Sequence, residues 1–177
     1  MKVRFFGGFG YSPDMLDAPD LATQAYAGGV SMGGDLVGAG EAPNFIVWAM
    51  QDASSAPLQR IQVVKVTSGS ETVYDAACSG GAVPGSNHRC PDNGASVDIA
   101  SCSTTPGSGA GELKALWTDP DFDPARRATY YVRVLENPTC RWSTWEANRN
   151  GTPPNPDLPT TLQERAYSSP IWYIPPA

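Results

Sequence analysis

In the clearest stretches of this chain apolar positions recur at every second residue, the spacing of a strand with one buried face. In NFIVWAMQD (44–52), Phe45, Val47 and Ala49 fall on one face. LQRIQVVKVT (58–67) and ETVYDAA (71–77) flank Ser-Gly-Ser and predict a hairpin. ATYYVRVLEN (128–137) is the strongest strand candidate, being rich in aromatic and β-branched residues. Shorter candidates are residues 3–9, ASVDIAS (95–101) and ELKALWT (112–118). RAYSSPIWYI (165–174) carries Pro170, which predicts an edge or broken strand. One short helix is expected in DAPDLATQAYAGG, with Asp17 as N-cap, Pro19 in the first turn and Gly28 past its end. GGVSMGGDLVGAGEAP reads as a glycine-rich connector, and 146–164 as a proline-rich surface excursion. Many short strands separated by turns predict an all-β fold, an immunoglobulin-like antiparallel β-sandwich over 41–177 with long loops. Residues 1–40 are expected to form a strand-and-helix extension ahead of it.

That fold gives a place to TDPDFDPARRATYYVRV (118–134). In immunoglobulin-like sandwiches a polar corner leads into a strand whose tyrosine hydroxyl bonds back to the corner backbone. Tyr130 or Tyr131 is the expected corner tyrosine, with Arg126 and Arg127 neutralising nearby carboxylates. Asp119 and Asp123 each precede a proline, which favours extended or turn geometry. The competing reading takes Asp119, Asp121 and Asp123 as calcium ligands. An EF-hand is excluded, since its sixth position needs glycine and its twelfth glutamate, where Pro124 and Tyr130 stand. A nonstandard calcium site stays open as the alternative.

Charge and composition narrow the partners. Twelve basic against 18 acidic residues give a net charge of −6, which disfavours nucleic acid and anionic membrane surfaces. No apolar run is long enough to cross a membrane as a helix. The opening MKVRFFGGFGYSP lacks the apolar stretch and cleavage site of a signal peptide. It reads like a strand and turn within a fold, so a fragment is expected, with any export signal upstream.

Cys78, Cys90, Cys102 and Cys140 are the four cysteines, with no C-x-x-C pair and His88 the sole histidine. Zinc sites usually bring ligands in close pairs, so two disulfides are the expected use. Their pairing stays open among three connectivities. Disulfides place the chain in the periplasm or outside the cell.

Other motifs carry less. The glycine runs GGFG and GGVSMGG lack the G-K-[ST] of a phosphate loop. His88 stands in a cysteine-rich loop without a nucleophile elbow. Glu112, Glu136 and Glu164 show no glycosidase-like spacing signal. Asn150 heads an N-G-T sequon, but Asn-Gly is equally a turn dipeptide. Arg141, Trp142 and Trp145 form a possible sugar- or ligand-stacking patch.

Five stretches, in order along the chain, resemble one bacterial family. They are KVRFFGGF (2–9), GGVSMGGDL (28–36), LQRIQVVK (58–65), WTDPDFDPARRATYYVRVLENPTCRWST (117–144) and QERAYSSPIWY (163–173). The family is domain of unknown function 3604, and the resemblance is to its C-terminal region. Ser31 replaces the family's usual proline, and Tyr167 its usual tryptophan. The resemblance implies a much longer protein whose N-terminal half is similar to metal-dependent hydrolases of the polymerase-and-histidinol-phosphatase (PHP) type, with His-x-His ligands. This chain has no His-x-His, so no catalytic residue carries over. Divalent metals are expected only in that other half, and no cofactor in this chain.

Two expectations result. The first is a non-catalytic module whose partner is its own N-terminal catalytic domain. Residues 1–40 then form the seam, with Phe5, Phe6 and Phe9 as apolar anchors. The second is a free-standing secreted binding protein using a calcium site or the Arg141–Trp145 patch.

Overall fold

The computed structural model describes residues 1–38 and 40–176. Two sheets pack face to face. The first has the order β2-β1-β4-β9, from β1 (Lys2–Gly8), β2 (Gly29–Ser31), β4 (Asn44–Met50) and β9 (Glu112–Thr118), all antiparallel. The second has the order β3-β14-β10-β5-β6, from β3 (Asp35–Val37), β5 (Leu58–Thr67), β6 (Ser70–Cys78), β10 (Ala128–Glu136) and β14 (Ile171–Ile174). A further strand, β13 (Arg165–Tyr167), also pairs with β10. The fold is an all-β sandwich.

Alternation places the core. Phe5, Phe45, Val47 and Ala49 from the first sheet meet Ile61, Val63, Tyr130, Val132, Val134 and Ile171 from the second. Phe45 and Tyr130 touch across the gap, their ring centroids 4.5 Å apart. A second core lies on the outer face of the first sheet. There Phe6 and Ile46 take Leu21 and Ala25 of α1 (Leu21–Gly28), together with Tyr11. An eight-residue helix is marginal alone, and this packing holds it.

Residues 1–40 are therefore no extension. They supply β1, paired between β2 and β4, and β3, which runs parallel to β14 in the other sheet. Phe5 and Phe6, expected as seam anchors, are buried inside this chain's own cores. Gly29 shows why the connector is glycine-rich. A Cβ there would collide with the Gly7 carbonyl oxygen and the Tyr11 hydroxyl, so β2 closes on β1 only without a side chain.

Other departures have local causes. Asp17 ends a 3-10 turn (Pro13–Asp17) instead of capping the helix, because Ala18 precedes Pro19 and is extended. The strand expected over 95–101 shrinks to β7 (Val97–Asp98), paired with β8 (Ser103–Thr104). Asp98 turns the chain there by accepting bonds from Ala100 N–H and the Ser101 hydroxyl. The strand at 165–174 is broken before Pro170, as expected. Its second half, however, lies between β10 and β3 and not at an edge. The 146–164 excursion begins inside an unexpected helix, α2 (Trp142–Asn150). The remaining pair, β11 (Thr139–Cys140) and β12 (Thr161–Leu162), closes the ends of this segment on each other.

Candidate functional site

Side chains able to carry chemistry gather in three places: the aspartate corner, the cysteine loops and the tryptophan helix. At the corner, β9 delivers Asp119 to the end of the sandwich, where its side chain is fully buried. Asp119 Oδ2 accepts the Tyr130 hydroxyl at 2.6 Å and lies 2.6 Å from Lys65 Nζ. Its Oδ1 accepts the Asp121 N–H at 3.0 Å. Lys65 also donates to the Asp121 carbonyl at 2.7 Å. Tyr74, from β6, donates its hydroxyl to Asp121 Oδ2 at 2.6 Å. Asp123 accepts the Ala125 N–H at 3.0 Å and caps a turn.

The three aspartates thus face separate partners. Among the described residues, no group of three or more His, Cys, Asp or Glu side chains is placed to hold a metal ion. The Tyr130 hydroxyl reaches the Asp119 carboxylate and not the backbone that a tyrosine corner would use. Tyr131 points to the opposite face, where its hydroxyl lies 3.4 Å from Glu71 Oε2. The cation at the corner is Lys65, while Arg126 and Arg127 are exposed. Lys65 was legible in one respect. It continues the inward phase of Ile61 and Val63, where a lysine needs a buried counter-charge.

Burial pushes the Tyr130 hydroxyl pKa far up, and the hydrogen bond to Asp119 pushes it further. Burial, then Asp121, does the same to Tyr74. Tyr11, buried and donating to the Ala25 carbonyl, is raised by burial from 10.0 to about 12. Unfolded tyrosine loses its proton near pH 10, whereas these hold theirs. Their stabilising contribution is complete below pH 10 and is lost as pH rises through the folded values. Each contributes a slope of about 1.4 kcal/mol per pH unit in that window. Urea midpoints measured at pH 9, 10 and 11 are expected to be flat and then to fall steeply. A constant midpoint through pH 11 would refute this.

A second buried carboxylate organises the cysteine loop. Asp75 binds Arg60 at 3.0 Å, the Gln62 amide at 2.6 Å and the Cys90 N–H at 2.7 Å. Cys78 and Cys90 form one disulfide, and Cys102 and Cys140 the other. His88 sits over Tyr74 with ring centroids 5.2 Å apart, an edge contact that packs the loop on the sheet. Glu112 accepts the Trp48 indole N–H at 2.6 Å, and Glu136 accepts the Ser55 hydroxyl at 2.5 Å.

Helix α2 has the opposite pattern to an ordinary surface helix. Its inward residues are Thr144 and Ala147, at 1% and 8% exposure. Its tryptophans face out, Trp142 at 65% and Trp145 at 43%. With Glu146, Arg149 and Asn150 they line an open groove of about 540 Å³. Arg141 precedes the helix; its Nε is buried without a partner, and it does not line the groove. Asn150 and Gly151 end the helix, with Gly151 left-handed at φ 65°.

No curated protein and no solved structure matches the chain. A family model, that of the proteins of unknown function DUF3604, matches residues 1–175. The match takes in both sheets, the aspartate corner and the tryptophan helix. The chain belongs to the DUF3604 family.

Proposed function

We propose that this chain is the non-catalytic, immunoglobulin-like C-terminal module of a larger metal-dependent hydrolase of the PHP type. It packs on the catalytic domain and supports it, in the periplasm or outside the cell. The observation that carries this reading is the use made of the acidic corner. Asp119 and Asp121, two of the three aspartates of the calcium alternative, are engaged instead by Lys65, Tyr130 and Tyr74 in linking the two sheets.

Strand order supports the immunoglobulin-like part. β1-β4-β9 facing β14-β10-β5-β6 corresponds to strands A-B-E facing G-F-C-C′, with the corner between E and F. Two disulfides support an oxidising compartment. Among the described residues, no helix is long and apolar enough to cross a membrane. Since Phe5 and Phe6 are internal, docking on a catalytic domain uses surface other than these two.

An immunoblot of source cells, with an antibody to this chain, tests the proposal. A band several-fold larger than 18.8 kDa is expected. A band at 18.8 kDa would mean that the sandwich acts alone and would overturn the proposal.

A further inference from the structure

We propose that the groove along α2 binds a neutral carbohydrate, with Trp142 and Trp145 as stacking planes and Glu146, Arg149 and Asn150 as hydrogen-bonding groups. This does not rest on the module reading, because a supporting domain and a free-standing protein are equally able to carry the site.

The first argument is the inverted helix. Two large apolar side chains face solvent while threonine and alanine face the protein. Core packing does not explain the tryptophans, because both are left facing solvent, where burial would favour removing them.

The second argument is rigidity. The Asn148 amide donates to the Ile99 carbonyl at 2.8 Å and to the Ala100 carbonyl at 3.1 Å. The Cys102–Cys140 disulfide joins that same loop to the strand just before α2. Thr144 Oγ1 donates to the Thr160 carbonyl at 2.8 Å from the buried side. The Arg149 guanidinium lies over one face of the Trp145 ring, 5.9 Å from its centre. A platform fixed in this way binds with little ordering cost.

The third argument is chemistry. Trp145 also lines a second cleft of about 450 Å³, with Ser54, Ser55, Thr139 and Glu164 among its walls. Aromatic planes flanked by hydroxyls, a carboxylate, an amide and a guanidinium suit a sugar. Its C–H faces lie on indole and its hydroxyls pair with the polar rim. An apolar protein partner would meet a polar surround on both sides of the two rings. One acid and one base in the groove, on a chain of net charge −6, favour an uncharged ligand over an anionic polymer.

The test titrates the intact chain by calorimetry with five neutral hexasaccharides: β-1,4- and β-1,3-linked glucose, α-1,4-linked glucose, β-1,4-linked mannose and β-1,4-linked N-acetylglucosamine. At least one is expected to bind saturably. Trp142→Ala and Trp145→Ala are each expected to weaken that binding about tenfold or more. Both side chains are exposed, so far-UV dichroism and the thermal midpoint should stay unchanged. Arg149→Met should weaken binding with both indoles present. The proposal is overturned if none of the five binds, if binding survives both tryptophan substitutions, or if alginate binds in preference to every neutral sugar.

Discussion

Lys65→Met is expected to lower the unfolding free energy by about 3–5 kcal/mol, the effect of leaving a buried carboxylate without its counter-charge. Methionine nearly matches lysine in length, so packing around the site changes little. What changes is Asp119, whose side chain is fully buried and keeps only the Tyr130 hydroxyl and the Asp121 N–H. In a chain of this size that loss corresponds to a fall of roughly 10 °C in the thermal midpoint. The double variant Lys65→Met/Asp119→Asn separates charge from packing. It should recover part of the loss, because the uncompensated charge is then gone. A single-variant loss below about 1 kcal/mol would show that the ion pair does not hold the corner.

Reduction of both disulfides is expected to lower stability more, by about 6–7 kcal/mol in the chain-entropy account. The bridges close loops of 12 and 38 residues in sequence separation, and the loops do not overlap, so their effects should nearly add. The two losses should differ in kind. Cys78–Cys90 holds the loop that places His88 on Tyr74 and the Cys90 N–H on Asp75. Cys102–Cys140 holds the loop beneath α2. Replacing Cys102 and Cys140 with serine should loosen α2 while the sheets persist. Urea midpoints for each serine pair, with hydrogen exchange at Asn148 and Ala147, check this. Equal exchange in α2 with and without the second bridge would count against it.

Much of the sheet framework was legible from alternation alone. β5 and β9 begin and end where the pattern predicts, and β4, β6 and β10 lie within a residue or two of it. β10 alternates most clearly, buried at every second residue from Ala128 to Val134, and one inward apolar face of this kind leaves a single register to choose. The corner was also legible as a turn, because Asp-Pro at 119–120 and 123–124 favours extended or turn geometry just before the Tyr-Tyr strand. Helix α2 was not legible. Its tryptophans suggest a buried stripe where none exists, and its buried face is threonine and alanine.

That this chain is strand-rich and turn-rich, and that its four cysteines suit disulfides, follows from local sequence. So does the polar corner that residues 118–134 make, feeding a tyrosine strand. These are properties of neighbours along the chain: side-chain period, proline and glycine dihedral limits, and cysteine spacing. Contacts between distant segments settle which cation answers Asp119, which cysteines pair, and that β1 and β2 join one sheet while β3 joins the other. They also leave Trp142 and Trp145 facing water. Each of these depends on chain segments far apart in sequence meeting in space. Lys65 reaches Asp119 only because β5 of one sheet packs against the end of β9 in the other, and β3 pairs with β14 from the far end of the sequence.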